Sequence, residues 1–528
     1  GGVVSFENCS FADYGDYAVR MNSGNALFTQ CGFAKAGGHV YLGTDAGVLK
    51  AVNSGYGGKL QVADKSRSAK VEVVNDRKYE FTPMPADVKT DIAERPRPSS
   101  DAVIRAELPC AKGYNNDVPT VDVSSRLQAL LDDVKRAGGG TLYLPAGRYL
   151  VEQPIRVPSG VELRGSWDVQ HHTQGGGTTL FTNYDGGTEG EKGASLIQLE
   201  ENAGLNGLTI AQLNIASDGF DRLNPRRTPF LIQGQGPKVY VVNVTVAMGD
   251  KGIDLASYDT SGHYVDYFAG VLLRAGIWVG GGAEGGFIRN MQFNPHYGSR
   301  LPRGGQGYPD LQMTRFVQSN CSALKFADVR EQTIFNNFVY GSIYGIHFLK
   351  DAVTGNVPGH ITMVGHGSDG CTFSLFVEDA GKDTEITAIN SELVNTHIKE
   401  QPVRSYVLMG GEAGTQKVHP NARLTLYNSA FWGSPVIGAI VNNGTLRLQQ
   451  ANFASCGAPT IDVGGGQAHV YTTYFARPMP SHSAPGGNAT YARLRQGGNL
   501  IELTNNFYAS PLRPVSDKPG RITGSDVK

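Results

Sequence analysis

Cysteine is scarce: there are six in 528 residues. That is too few for a disulfide scaffold, and no Cys-x-x-Cys pair offers a zinc site. No apolar run approaches the ~18 residues that a membrane helix needs. Neither sign of charge dominates, because the formal net charge is −1. This argues against a nucleic-acid binder driven by a basic face. No stretch reads as a signal peptide, and the opening Gly1-Gly2-Val3 suits a mature or truncated form. What the chain has in quantity is turn residues, 69 Gly and 26 Pro, beside an ordinary 40% of hydrophobic residues. Many turns with enough apolar surface for a core describe a folded chain of short elements, not a disordered one.

The stretch from Asp122 to Gly165 shows how those elements are ordered. Leu127, Leu130, Leu131 and Val134 fall at i, i+3, i+4 and i+7, the spacing of one helix face. Asp122 or Ser124 is placed to cap this helix, and Gly138 to Gly140 to end it. Short strands then follow at Thr141–Leu144, Tyr149–Val151, Ile155–Val157 and Val161–Leu163. Pro145-Ala146-Gly147 and Pro158-Ser159-Gly160 form the turns between them. One helix leading into many short strands suits the capped start of a parallel solenoid.

Internal repetition supports a solenoid. Asn8-Cys9-x-Phe11 recurs as Gln30-Cys31-x-Phe33, a shift of 22 residues. Near the other end Asn428-x-x-Phe431 recurs as Gln450-x-x-Phe453, again 22 residues on. Stacked coils put equivalent residues about 4.8 Å apart, so the amides form a ladder and the rings a stack. Cys9 and Cys31 become neighbours, as stacked thiols or as a disulfide. The shared pattern predicts two tandem solenoids, the first incomplete. Residues 1–80 are its terminal coils, 81–112 a connector in which Pro83, Pro85, Pro96 and Pro98 oppose regular pairing, and 113–528 the second solenoid.

The segment Gly138–Tyr149, read with the preceding helix, resembles the opening of the pectate-lyase-like right-handed parallel β-helix superfamily. The resemblance implies an all-β fold with a short capping helix on the second unit. The tandem arrangement is similar to that of family 55 glycoside hydrolases, which act on β-1,3-glucans, although that family's catalytic motifs have no counterpart here. The superfamily includes lyases, glycoside hydrolases and phage tailspikes, so the resemblance speaks to fold before chemistry.

From 195 to 400 the coils align on Val242-Asn243-Val244, Ile288-Arg289-Asn290, Ile334-Phe335-Asn336 and Ile389-Asn390. Each step is two short coils or one coil with a long loop. The richest loops are Asp218–Arg227, Asp250–Asp266, Phe293–Asp310 and Asn356–Gly370. One turn carries acids repeatedly: Glu284, Asp328, Glu331 and Glu378, with Asp379 beside the last. Glu284 and Glu331 are 47 apart, close to a coil step, and glycines on either side of Glu284 leave room for a sugar. Carboxylates stacked at that range push their pKa values apart, which suits the acid and base of a glycosidase. Solvated turn acids or a cation site are the plainer readings.

Asp254, Tyr258, Asp259, His263 and Asp266 fall in one candidate loop, and Asn294, His296, Tyr297 and Arg300 in the next. These residue types suit recognition of sugar hydroxyls, or else they satisfy one another. Trp278 is a core residue or a binding platform. Gly365-His366-Gly367, with Asp369 nearby, resembles the Gly-His-Gly of polygalacturonases, but that family's other motifs are absent, which makes a plain turn the expectation. A lyase would need a base such as Lys or Arg and a carboxylate cluster for Ca2+. Only Arg289, Arg300 and Arg330 lie near the acids.

The expectation is a secreted, periplasmic or cell-surface glycoside hydrolase that acts on a polysaccharide or oligosaccharide and requires no cofactor. The alternatives are a polysaccharide lyase, for which Ca2+ comes into question, and a non-catalytic, tailspike-like carbohydrate-binding protein. The absent part of the first solenoid or further copies of the chain are the expected protein partners.

Overall fold

The computed structural model describes residues 2–75, 93–112, 118–168, 177–215, 225–300, 310–396, 404–411, 417–483, 490–517 and 521–527. From Val103 onward the chain winds into a parallel β-helix. Each regular coil contributes three short strands, and each strand pairs in parallel with its counterpart one coil on. Ser322–Phe326, Tyr344–Phe348 and Phe373–Val377 follow one another on the first face. Val329–Phe335, His360–Val364 and Glu385–Ile389 do so on the second. Phe338–Tyr340, Gly367–Asp369 and Glu392–Asn395 do so on the third. Inward residues such as Leu324, Ile346, Leu375, Ile334 and Leu393 are fully buried and make one continuous core along the axis.

Between the second and third faces the chain turns through a left-handed residue. That position is filled by Asn243, Tyr267, Asn290, Asn336, Gly365, Asn390, Asn428, Gln450, Thr472 and Asn505. Asn suits it because its short polar side chain tolerates positive φ. The amides also bond along the stack: Asn336 Nδ2 donates to Asn290 Oδ1 and Asn428 Nδ2 to Asn390 Oδ1, both at 2.8 Å. The alignment of coils on asparagine therefore holds, and the structure resolves the step lengths. The steps from 243 to 290 and from 336 to 390 are two coils each, with Tyr267 and Gly365 at the intervening turns. The step from 290 to 336 is one coil carrying the helices His296–Arg300 and Asp310–Asn320.

Two expected loops are mostly strand. Asp250–Asp266 lies largely within Tyr240–Leu255 and Tyr264–Val279, and Asn356–Gly370 contains His360–Val364 and Gly367–Asp369. Their polar residues include buried ones, Asp250, His263 and His366 among them, so a run of them masks the alternation. Of the Asp218–Arg227 loop, 218–224 lie outside the described residues.

The capping helix spans Ser124–Arg136, with Leu127, Leu131 and Val134 buried. It packs on Gly140–Leu144, Ile155–Val157 and Val161–Gly165, covering the first coil. Its N-cap is Val123, with no side-chain cap. Asp122 accepts from the Ser124 N–H at 3.0 Å, while Ser124 Oγ receives the N–H groups of Glu152 and Gln153 at 2.9 and 3.1 Å. Both expected capping residues are thus used, but to tie the helix to the coil below.

In the connector, Val103–Arg105 pairs in parallel with Thr141–Tyr143, contrary to the expectation of no regular pairing. This run lies beyond Pro98 and has all its N–H groups, so it can join the ladder. Residues 3–74 form separate parallel sheets in which Val3–Glu7 pairs with Val19–Thr29 and then Val40–Val52. Asn8, Gln30 and Asn53 occupy left-handed turns there, equivalent to those at 428 and 450. Phe11 stacks on Phe33 at 4.7 Å, as Phe431 does on Phe453 at 4.3 Å. This unit touches the last coils of the second: Lys50 Nζ donates to the Asn506 carbonyl at 2.9 Å, and Gln449 Nε2 to Glu7 Oε1 at 3.1 Å. All six cysteines are free thiols. Cys31 is buried against Cys9, and burial pushes its thiol up to about 11.

Candidate active site

The acids picked out by spacing fall on one rim, at the turn from the first face to the second. Glu284 and Glu331 occupy register-equivalent positions on adjacent coils, as their separation predicts. Both are exposed; the Glu284 side chain is 57% accessible, and its nearest cation is Arg330 at 3.6 Å. Water therefore screens the pair, and the enclosed setting that separates a protonated from an ionised carboxyl is missing. Asp328 is buried nearby and accepts from Asn356 Nδ2 at 3.0 Å.

The other expected ligand residues do not share a cleft. Asp259 is exposed and caps its own turn through Ser261 N and Oγ, at 3.0 and 2.6 Å. His263 is fully enclosed with Nδ1 3.1 Å from the Thr260 carbonyl, and burial pulls its pKa down to about 4. Tyr297 is buried in the outer layer between the third face and the helices, with its hydroxyl donating to Gln292 at 3.1 Å. His296 stacks on Tyr340. The side chain of Arg300 lies outside the described residues. His366 points into the core after the Gly365 turn, as the turn reading of Gly-His-Gly anticipates. Neither ring nitrogen has a partner among the described residues, and burial lowers its pKa to about 4. Asp369 lies on the third face and accepts from Thr396 Oγ1 at 2.7 Å. Burial raises its pKa. His263 and His366 are enclosed at turns of the solenoid, whereas His296 and Tyr297 belong to the helix His296–Arg300 packed outside it.

The chemistry converges instead on the outward side of the first face. Gln233, Asp254, Trp278, Lys325, His347, Phe376 and Leu408 occupy equivalent positions on successive coils. They form a row parallel to the solenoid axis, and Leu408 and Phe373 at its far end line a pocket with Arg404, Asp462 and Arg495. Phe230, Tyr344 and Phe373 widen the row: Tyr344 lies 4.8 Å from Phe376 and 4.6 Å from His347 between ring centroids. Aromatic faces beside polar groups are the usual lining of a sugar site. Asp254 is the one expected ligand residue in this row. It accepts from Gln233 Nε2 at 2.9 Å, from Ser257 Oγ at 2.6 Å and from the N–H groups of Ala256 and Ser257.

Lys325 sits with its ammonium 4.4 Å from the Trp278 ring centroid. It makes no ion pair among the described residues. Burial, and then the positive charge of Lys251, lower its pKa. Beside it, His347 Nε2 lies 2.8 Å from Glu378 Oε2, and Lys417 Nζ donates to Glu378 Oε1 at 3.2 Å. The His347 hydrogen bond, with Lys417 assisting, holds Glu378 down at about 2. Burial lowers the pKa of His347. Glu378 is therefore held ionised as the partner of His347, which leaves it no proton to donate to substrate. Sequence reasoning missed Lys325 and His347. Each stands alone in a short strand, and coils of unequal length leave no spacing that marks them.

Residues 112–298 match the family model described as rhamnogalacturonase A/epimerase, pectate lyase-like. No curated protein matches the chain in sequence. Among solved structures, a double mutant of the tailspike protein of Escherichia coli bacteriophage HK620 superposes with a TM-score of 0.51 at 11% identity, covering 78% of this chain and 75% of that one. A mutant of the same tailspike in complex with a hexasaccharide gives a TM-score of 0.50 with the same identity and coverage. A mutant DFA-IIIase from Arthrobacter chlorophenolicus A6 in complex with DFA-III gives 0.43 at 10% identity over 80% of this chain and 87% of that one. The parallel coils and the superposition on the tailspike identify the fold as a right-handed parallel β-helix, and the family-model match likens residues 112–298 to pectate-lyase-like proteins.

Proposed function

We propose that the chain is a carbohydrate-active enzyme that holds an acidic polysaccharide along the outward row of the first face and cleaves it by β-elimination. The observation that carries this reading is Lys325: a partly buried amine against the Trp278 ring, without an ion pair among the described residues, whose pKa burial lowers. Burial makes this lysine easier to deprotonate than an exposed one, the direction a base requires. It would take the proton α to a uronate carboxyl and return it to the departing glycosidic oxygen, leaving an unsaturated uronide. Lys251 lies over the Phe230 ring at 5.6 Å and is paired with Glu191, which leaves Lys325 as the unpaired ammonium of the row among the described residues. Tyr344 and Phe376 give the sugar rings their platform.

Support for a saccharide ligand also comes from the fold, which is shared with a tailspike solved in complex with a hexasaccharide. Among the described residues no three His, Cys, Asp or Glu side chains form a metal-binding group. The Ca2+ that a lyase brings into question is therefore given no ligands and no step here. Hydrolysis at the rim is the second reading, favoured by the register pairing of Glu284 with Glu331. The two separate in one experiment. Polysaccharides with and without uronic acids are assayed in parallel for reducing ends and for the absorbance of an unsaturated uronide. Absorbance on uronate substrates alone is the expected result, whereas reducing ends without absorbance assign the chain to the hydrolases.

A further inference from the structure

Ser322, at the start of the strand that carries Lys325, is in register with Tyr344 and Phe373 beside that row. Its Oγ lies 3.4 Å from His347 Nδ1, and His347 Nε2 lies 2.8 Å from Glu378 Oε2. These three residues come from three successive coils, placed by the register Ser322↔Tyr344↔Phe373. The hydrogen-bond chain settles where the imidazole proton resides. An ionised carboxylate only accepts, so Nε2 carries the hydrogen that Glu378 receives. Nδ1 of the neutral ring is then left as an acceptor directed at the serine hydroxyl. Glu378 is fixed in turn by Lys417. Ser322 and His347 are 9% and 7% exposed. A hydroxyl, an imidazole and a carboxylate linked in this order form the arrangement that activates a serine nucleophile. The 3.4 Å separation is within the looseness of catalytic hydrogen bonds in unliganded sites.

We infer that Ser322, His347 and Glu378 form a nucleophilic relay that hydrolyses acyl esters, with O-acyl groups carried by the polysaccharide as the substrate class. The choice of polysaccharide esters rests on the function proposed above, whereas the relay itself does not. Ser322 Oγ attacks the acyl carbonyl carbon as its proton passes to His347 Nδ1. The tetrahedral adduct expels the sugar oxygen, which takes that proton and leaves as the free hydroxyl. Water, deprotonated by the same nitrogen, then hydrolyses the acyl-serine, releasing the carboxylic acid and restoring Ser322. Glu378 acts through His347 as a positioning residue that holds the tautomer.

The test uses the full chain with p-nitrophenyl acetate and, separately, a fluorophosphonate whose attachment site is mapped by mass spectrometry. Labelling at Ser322 is expected. Loss of about 10³-fold or more in ester turnover is expected for Ser322→Ala and for His347→Gln. For Glu378→Gln, the pH–rate profile shifts along with the loss, which a merely structural role would not cause. Absence of label at Ser322 in the unaltered protein, or wild-type turnover by Ser322→Ala, overturns the inference. Both probes are small and need no polysaccharide. Failure of the elimination reading, seen as no unsaturated uronide from any substrate, is thus distinguishable from failure of the relay.

Discussion

Acid should destabilise this fold through two buried histidines, and His366 gives the cleaner case. Its ring is 1% exposed and neither nitrogen has a partner among the described residues. Its folded pKa lies near 4 against 6.5 for the ordinary group. The unfolded chain therefore binds a proton that the folded chain refuses, throughout the window between those values. The stability contributed by the neutral ring is fully present above pH 6.5 and is lost as the pH falls toward 4. The loss amounts to about 3 kcal/mol, with a slope of up to about 1.4 kcal/mol per pH unit inside the window. His263 adds a similar loss for the same reason, burial, over the same range. Replacing His366 by Leu removes the titration and two unsatisfied nitrogens at once, so the variant should be at least as stable as the parent at pH 7. Urea unfolding of both proteins at pH 7, 6, 5 and 4.5 measures the difference. The stability curves should diverge as pH falls, the variant losing less. Parallel curves would refute the reasoning, because they would mean that His366 is protonated as readily in the fold as out of it.

Two further outcomes follow from the coil geometry. Asn390→Ala forces a non-Gly residue without a helpful side chain into φ 52° and removes the acceptor of the Asn428 amide. It should cost about 1–2 kcal/mol, and Asn390→Gly should recover part of that in the same melting experiment. Phe453 is sandwiched between Phe431 at 4.3 Å and Phe475 at 5.4 Å, with interplanar angles of 7° and 3°. Phe453→Ala should cost about 3–5 kcal/mol and Phe453→Leu distinctly less, as read from denaturant midpoints.

Much of the fold was legible because a solenoid repeats its constraints. The left-handed turn recurs from coil to coil among the described residues, so Asn8 and Gln30, or Asn428 and Gln450, announce it wherever no loop intervenes. Where Tyr267 or Gly365 fills that position the count slips, since neither looks like its asparagine neighbours. The rim acids were legible for the same reason: Glu284 and Glu331 sit just after a turn, close to the repeating feature. The outward row of the first face was not. Trp278 and Lys325 are one coil apart in space but separated by a long excursion holding Asp310–Asn320, so no sequence period links them. Nor does alternation tell His366, which is enclosed in the core, from His347, which lies on the outward side of the first face. Polar side chains stack inside this solenoid as well as outside it.

Lys325 and the outward row of the first face, not the rim, are the proposed seat of chain cleavage. Uronide production should therefore be compared in the parent, in Lys325→Met and in the Glu284→Gln, Glu331→Gln double variant. The prediction is a loss of about 10²–10⁴-fold for Lys325→Met and near-parental rates for the double variant. Parental activity in Lys325→Met, with activity abolished by the two glutamines, would contradict it and return the chemistry to the rim carboxylates.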